Sequence, residues 1–485
     1  MEIERALEKI MGPDRVSSSE AVCQSYQYNA DLGKDWVMKP DIVVLAETPE
    51  QVSEVIKAAN QYKVPVATKG TMGGGGLGGN IRGGILLDLS LMEKIISIDV
   101  DNMKAVAEAG CSFFKFAQEL FKNGLMLPTP MYLSGPSVAA SVVTPGIGLG
   151  RTRYGLNVEL VEGLEVVLPS GEITRVGSMA YADTDFGPFF RYITGPDLVG
   201  LFTKSNGAFG IITKVAYRCL RLPKHWGFHA YYWPLEKLED VTKTLMQTTS
   251  IEVFDIALND KYRWDWEGPL PFDMPEDNHF DVMLIVNADN EQELKGKEQA
   301  VHDICSTNGG TYLPGLAEHF YRDWPTVLFC TFPPVPPETP NIMTTTLGKR
   351  SYHYILDQLM FPTSRLTDVY TKTLELYKKY KLAQLPKHPV LDAQILKQQT
   401  MAVQCWVNID EGSPEWVERF EKTRDDFRQW YGERGGLFQT RFPPLVPEYA
   451  WTSQLGAFNL LKSIKQTLDP NDILSPGTFE LGSRK

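Results

Sequence analysis

From Pro40 onward, apolar and polar positions follow a clear order. The apolar, β-branched run DIVVLAE (41–47) predicts a strand. TPEQVSEVIKAANQYK (48–63) opens on a Thr cap with an early Pro and Glu and repeats apolar residues at helical spacing, which predicts a helix. VPVATKG (64–70) and GILLDLS (84–90) read as two further strands, KAVAEAG (104–110) as another, and SFFKFAQELFKNG (112–124) as a helix. The Gly-rich loop TPGIGLGRTRYG (144–155) precedes a hairpin over 161–177 that turns at Pro-Ser-Gly-Glu, and 207–223 ends the region as a strand. Near residue 225 the composition shifts: glycine thins and tryptophan and tyrosine increase. Three strand–turn–helix units recur, beginning at GFHAYYWP, FDVMLIVN and MAVQCWVN, which predicts a separate α+β domain with an antiparallel sheet backed by helices. LKSIKQTLDPNDILSPGTF (461–479) reads as a helix closed by a Pro/Gly turn.

Between two of these strands lies GTMGGGGLGG (70–79). Glycine runs cost conformational entropy on folding, so the stretch needs a reason. Gly73, Gly75 and Gly78 fit G-x-G-x-x-G, but a strand follows where the dinucleotide fingerprint requires a helix, and no Gly-Lys-Ser/Thr follows for a kinase-type loop. What remains is a turn whose backbone N–H groups can wrap an anion, a diphosphate above all, without side chains. A tight structural turn is the plainer alternative.

Composition narrows the setting. The chain has 485 residues, net charge −12 and no CxxC pair among six cysteines. The acidic surface argues against non-specific nucleic-acid or anionic-membrane binding. The cysteine spacing argues against an iron–sulfur cluster, a zinc site or a disulfide scaffold. No apolar run is long enough to cross a membrane, and the charged N-terminal helix lacks a signal-peptide core, so a cytoplasmic protein without membrane insertion is expected.

Taken in order, VPVATKGTMGGGGLGG, GLEVVLPSGEI, GPDLVGLFTKSNGAFGIITKVAYRCLRLP (195–223) and LKSIKQTLDPNDILSPG resemble the vanillyl-alcohol oxidase/p-cresol methylhydroxylase (PCMH-type) superfamily over about 38–223 and 455–480. The resemblance implies a two-subdomain FAD-binding domain (1–223), a substrate-binding cap (224–454) and a C-terminal segment (455–485) returning to the flavin. It implies FAD on Lys69, Gly70, Thr71, Met72, Gly73, Gly74, Gly75 and Gly76, with Leu77 near the flavin ring. Gly135, Ser137, Ser141, Gly148, Tyr154 and Gly155 form a second contact region, and Ile211 and Ile212 a third. The histidine or cysteine that often tethers FAD in these loops has no counterpart in 64–84 or 128–160, so a dissociable FAD is expected.

The resemblance also implies an oxidoreductase. The paired-histidine motif of the 2-hydroxy-acid oxidisers is absent, so no metal is expected. GGLFQTRFPPLVPEYAW (435–451) looks like the 4-alkylphenol branch, yet Gly436 and Leu437 stand where a Tyr-Arg phenolate pair is expected, and Gln394 where an acid is expected. Arg441, His353 and Tyr449 are the candidate catalytic residues, with Trp451 and Gln404 as weaker pocket candidates; a salt bridge, or ordinary packing, is the alternative for each. Expected partners are a small organic substrate, an electron-acceptor protein (cytochrome, iron–sulfur or flavoprotein) and a second copy of the chain. A flavin electron-transfer subunit of a larger complex is the alternative function.

Overall fold

The computed structural model describes residues 2–26, 28–29, 37–71, 83–128, 136–261, 272–319, 353–382, 391–408, 414–438, 451 and 454–482. Helix α1 (Glu2–Met11) buries Ile3, Leu7 and Met11. A four-stranded sheet follows, made of β1 (Val16–Ser17), β2 (Ile42–Leu45), β3 (Val66–Lys69) and β4 (Ile85–Asp88) in the order β1-β2-β4-β3. Strands β2, β4 and β3 run parallel, so the link from β2 to β3 needs a crossover, supplied by α2 (Pro49–Tyr62). The Thr48 hydroxyl accepts from the Gln51 backbone N–H and starts that helix as the sequence predicts.

The second sheet holds β5 (Ile95–Asp99), β6 (Lys104–Glu108), β7 (Val161–Val167), β8 (Ile173–Gly177) and β9 (Ile211–Arg218), ordered β8-β7-β9-β6-β5. The predicted hairpin is β7–β8. Helix α3 (Phe113–Lys122) is capped by Ser112 and buries Phe113, Phe116, Ala117 and Leu120. Each fully buried ring contributes about 1.5–3 kcal/mol relative to exposure. Both sheets share one apolar core, which Ile473, Leu474 and Leu481 join from the far end of the chain.

Among the described residues, 225–438 supply an eight-stranded antiparallel sheet. Its strands are β10 (His225–Pro234), β11 (Asp255–Asp260), β12 (His279–Ala288), β13 (Thr311–Tyr312), β14 (His353–Pro362), β15 (Leu391–Leu396), β16 (Thr400–Asn408) and β17 (Leu437–Phe438). Their order is β13-β10-β12-β11-β15-β16-β14-β17. Side chains alternate across the pleat. One face, with Ile256, Leu258, Ala393, Ile395 and Val403, packs into the same core as α6 (Leu238–Thr248), α7 (Glu291–Thr307), α8 (Leu366–Lys379) and α9 (Pro414–Gly432). The predicted strand–turn–helix units are β10–α6, β12–α7 and β16–α9.

Four sequence expectations need correction. A fourth strand–helix unit, β14–α8, and strands β5, β11 and β15 have no counterpart in the sequence reading. The Gly-rich stretch 144–155 ends in a helical turn, α5 (Arg151–Tyr154), and the preceding Val138–Val143 is itself helical, α4. The terminal helix α10 spans Leu455–Leu468, and the residues after it do not continue it.

Candidate functional site

Three segments distant in sequence meet along β3 and at the start of the glycine-rich turn that follows it. The first is 136–144. Phe113 N–H donates to Pro136 O at 3.0 Å, Val138 N–H to Cys111 O at 2.8 Å and Ala139 N–H to Ala109 O at 3.1 Å, so α4 is laced to the second sheet. A Cβ at Gly70 would collide with the Ser137 side chain, which is why only glycine fits where the two loops meet. The second segment is 204–207: Lys204 N–H donates to Val142 O at 2.9 Å and Asn206 N–H to Val143 O at 3.1 Å. The third is 473–475, where Val66 N–H donates to Ile473 O at 2.7 Å and Ser475 N–H to Val66 O at 2.8 Å, extending the first sheet past β3. The buried Lys465 ammonium secures that extension by donating to Asp469 Oδ2 (2.6 Å), Leu474 O (2.7 Å) and Ala208 O (3.0 Å).

Two lysines stand on these segments. Lys69 Nζ donates to Gly70 O at 3.3 Å, lies 3.6 Å from Asp88 Oδ2 and sits 5.0 Å from the Tyr26 ring centroid. Tyr26 OH donates to Asp88 Oδ2 at 2.9 Å, and burial together with that carboxylate pushes the phenol up to about 12. Lys204 differs: the residue is exposed and has no carboxylate partner among the described residues. Reading for glycines overlooked Lys204, although it stands in the signature stretch LFTKSNG.

The remaining expected contacts are spread more widely. The Ser141 hydroxyl donates to Val138 O at 2.7 Å and accepts from Asn157 Nδ2 at 2.9 Å, with Tyr217 OH 3.4 Å away, so it belongs to a buried polar group. Ile211 and Ile212 are buried in β9 opposite Val167 and Val166. Gly148 O accepts from Arg151 Nη1 at 2.9 Å. Tyr154 packs edge-on to Phe254, and burial raises its phenol pKa. Gly155 has φ +80°, and a Cβ there would run into Glu159. Thr71 ends the described part of the turn. Met72, Gly73, Gly74, Gly75, Gly76, Leu77, Gly135, Arg441 and Tyr449 lie outside the described residues.

Helix α5 plugs the first region into the cap sheet. The Thr152 hydroxyl accepts from Ile256 N–H at 2.9 Å and donates to Ile395 O at 2.7 Å, bridging β11 and β15. Arg151 is 2.8 Å from Asp255, both fully buried. The sheet face turned toward this helix is unusually polar. Register places Asp281, Asn259 and Asp392 in one row that continues to the positions of Gln404 and Gln358. Asn259 Nδ2 donates to Asp281 Oδ1 at 3.4 Å, and Gln394, one row over, donates through Nε2 to Asp392 Oδ1 at 2.8 Å. Gln394 is 2% exposed, yet among the described residues its Oε1 has no hydrogen-bond partner. Beside it, Ile147 of the first region packs on Met360, Leu396 and Ala402. His353 starts β14 opposite Asn408, five residues from Gln358, which is about 16 Å along a strand. Among the described residues, no group of three or more His, Cys, Asp or Glu could hold a metal ion.

Residues 40–177 match the FAD binding domain family and 447–479 the FAD linked oxidases, C-terminal domain. Residues 40–177 thus carry an FAD-binding domain, and FAD is its cofactor. The 4-cresol dehydrogenase [hydroxylating] flavoprotein subunit of Pseudomonas putida is 35% identical over 189 residues, 38% of this chain and 36% of that one. The D-lactate dehydrogenase of Anaerostipes hadrus is 29% identical over 243 residues, 49% of this chain and 48% of that one. These matches span less than half of each relative's length. In fold, the chain is similar to p-cresol methylhydroxylase with substrate bound (TM-score 0.80, 20% identity, 98% of this chain and 96% of that one). It is equally similar to the 4-ethylphenol oxidase of Gulosibacter chungangensis (TM-score 0.80, 17% identity, 100% and 97%).

Proposed function

We propose that the chain is an FAD-dependent dehydrogenase or oxidase that takes a hydride from a small organic alcohol or alkyl-aromatic substrate, with the electrons passing on to a separate acceptor. FAD, when bound, supplies the two-electron acceptor. The protein then has to hold the substrate carbon still, exclude water and receive one proton. Gly70 and Ser137 bring backbone close enough for a diphosphate, and Lys69 and Lys204 offset its charge.

The observation that carries the substrate reading is the open Gln394 Oε1 on the buried polar sheet face. A carboxamide acceptor in that setting selects a neutral hydrogen-bond donor such as a hydroxyl, because a buried acceptor left unpaired costs about 1–3 kcal/mol. It does not reward a carboxylate. Arg441 and Tyr449 remain the candidates for orienting the substrate, and His353 for proton removal. The distance of His353 from the polar row makes it the weakest of the three. The test is anaerobic bleaching of the flavin band near about 450 nm. Benzylic alcohols or alkylphenols should bleach it; bleaching by 2-hydroxy acids alone would overturn the reading.

A second reading, a flavin subunit of a larger dehydrogenase complex, is supported by the Pseudomonas relative, itself a flavoprotein subunit. Copurification of a stable hetero-complex carrying haem or an iron–sulfur centre would favour it.

A further inference from the structure

A cavity of about 650 Å³ opens where the start of α8 meets the end of α9. Small-molecule sites commonly measure about 300–1,000 Å³. The cavity lies on the helix-covered side of the cap sheet. Phe361, in its wall, joins the core shared with the helices, whereas Met360 beside it faces the other way and packs on Ile147. The polar row and α5 are on that other side, so this space is separate from the site described above.

The wall is apolar, built from Phe361, Val369, Trp430 and Tyr431, and the rim carries Arg365, Lys372 and Arg434 against Asp368 and Glu375. Two glycines keep it open. Gly436 stands where a Tyr-Arg pair is expected, but a Cβ there would collide with the Tyr431 ring. Gly435 turns the chain at φ +73°, and a Cβ on it would meet nothing within 4 Å.

The charges leave one cation over. Arg365 pairs with Asp368 at 3.3 Å and Lys372 with Glu375 at 2.9 Å. The Arg434 guanidinium lies 4.6 Å from the Trp430 ring centroid and donates through Nη1 to Trp430 O at 2.9 Å. That holds its planar fork against the apolar wall and leaves Nε and Nη2 for another acceptor. Glu433, exposed and 3.9 Å away, offsets it only weakly.

We propose that this cavity is a second ligand site, which takes a small aromatic carboxylate with its ring on Phe361, Trp430 and Tyr431 and its carboxylate on Arg434. One surplus positive charge matches a monoanion, whereas a polyphosphate would also face Asp368 and Glu375. On a chain of net charge −12, a cavity of this sign favours an anion that the rest of the surface repels.

The test is calorimetric titration of the FAD-loaded chain with 2-naphthoate, with 2-naphthamide as the neutral counterpart and inorganic phosphate as the anion without a ring. One 2-naphthoate per chain is expected, with the flavin absorbance unchanged. Binding should be at least about tenfold weaker for 2-naphthamide, for phosphate and for 2-naphthoate on Arg434→Gln or Trp430→Leu. Arg434 is exposed, so its variant should keep its flavin and its fold. No saturable binding, equal affinity in Arg434→Gln, or 2-naphthamide or phosphate binding as tightly as 2-naphthoate would each overturn the proposal. So would binding that shifts the flavin band and survives Arg434→Gln, which would put the ligand beside the FAD.

Discussion

Two side chains carry more of this architecture than their types suggest. Thr152 replaces a missing strand-to-strand bond with its hydroxyl, serving Ile256 N–H and Ile395 O at once. Thr152→Val keeps the shape and leaves both groups buried without that partner, so urea unfolding should show a loss of about 1–3 kcal/mol for each. A loss under about 0.5 kcal/mol would mean that the bridge is incidental. Lys204 is the opposite case, an exposed ammonium with no carboxylate beside it among the described residues. If it serves the anionic cofactor, Lys204→Met should weaken FAD binding about tenfold, the equivalent of 1.4 kcal/mol, and leave the melting point of the apoprotein unchanged or higher. Unchanged FAD affinity would remove Lys204 from the site.

At the scale of elements, the C-terminal segment acts as an extra strand for β3. It is held by Lys465, whose ammonium and Asp469 partner are both almost fully buried. Lys465→Met strands that carboxylate, and a loss of about 3–5 kcal/mol with faster FAD release is expected in denaturation and dilution experiments. Elements with clean periodicity or a capping signal were legible in the sequence: α2 behind Thr48, the β7–β8 hairpin, and three strand–helix units of the cap. Those missed have physical reasons. β5, IISID, is largely exposed and lacks a continuous apolar run. β11, DIALND, and β15, LDAQIL, place polar residues on the face that meets α5, so the alternation expected of a strand with a solvated face did not point inward. The same feature hid the polar row, because Asp281, Asn259 and Asp392 become neighbours only through register. The glycine turn was the reverse: its composition alone raised the expectation of a ligand, and of its positions Gly70, packed against Ser137, lies within the described residues.

For the whole molecule, pH dependence follows from burial. Desolvation lowers the pKa of His229 and His279 below the ordinary 6.5. The unfolded chain therefore takes up protons that the folded chain refuses. Stability from these residues is full above about pH 6.5 and falls as the pH drops below it. Glu165 adds a second stage. Burial alone would raise its pKa, but Lys214 and Arg175 outweigh burial and lower it from 4.5, so its contribution persists above that value and fades as the pH falls through the lowered one. Calorimetry should show a melting point that is flat above pH 7 and declines in acid, and His279→Gln should flatten the first stage. A melting point that rises between pH 7 and pH 5 would contradict this.

The account stands or falls on FAD seated against the turn that opens at Gly70. Fluorescence titration of the apoprotein with FAD tests it most directly, comparing wild type with Gly70→Ala, whose new Cβ meets Ser137. The expected result is saturation at one FAD per wild-type chain, at least about tenfold weaker binding for Gly70→Ala, and full release of the flavin on acid precipitation. Equal affinity in the two proteins, or no binding by either, would contradict it.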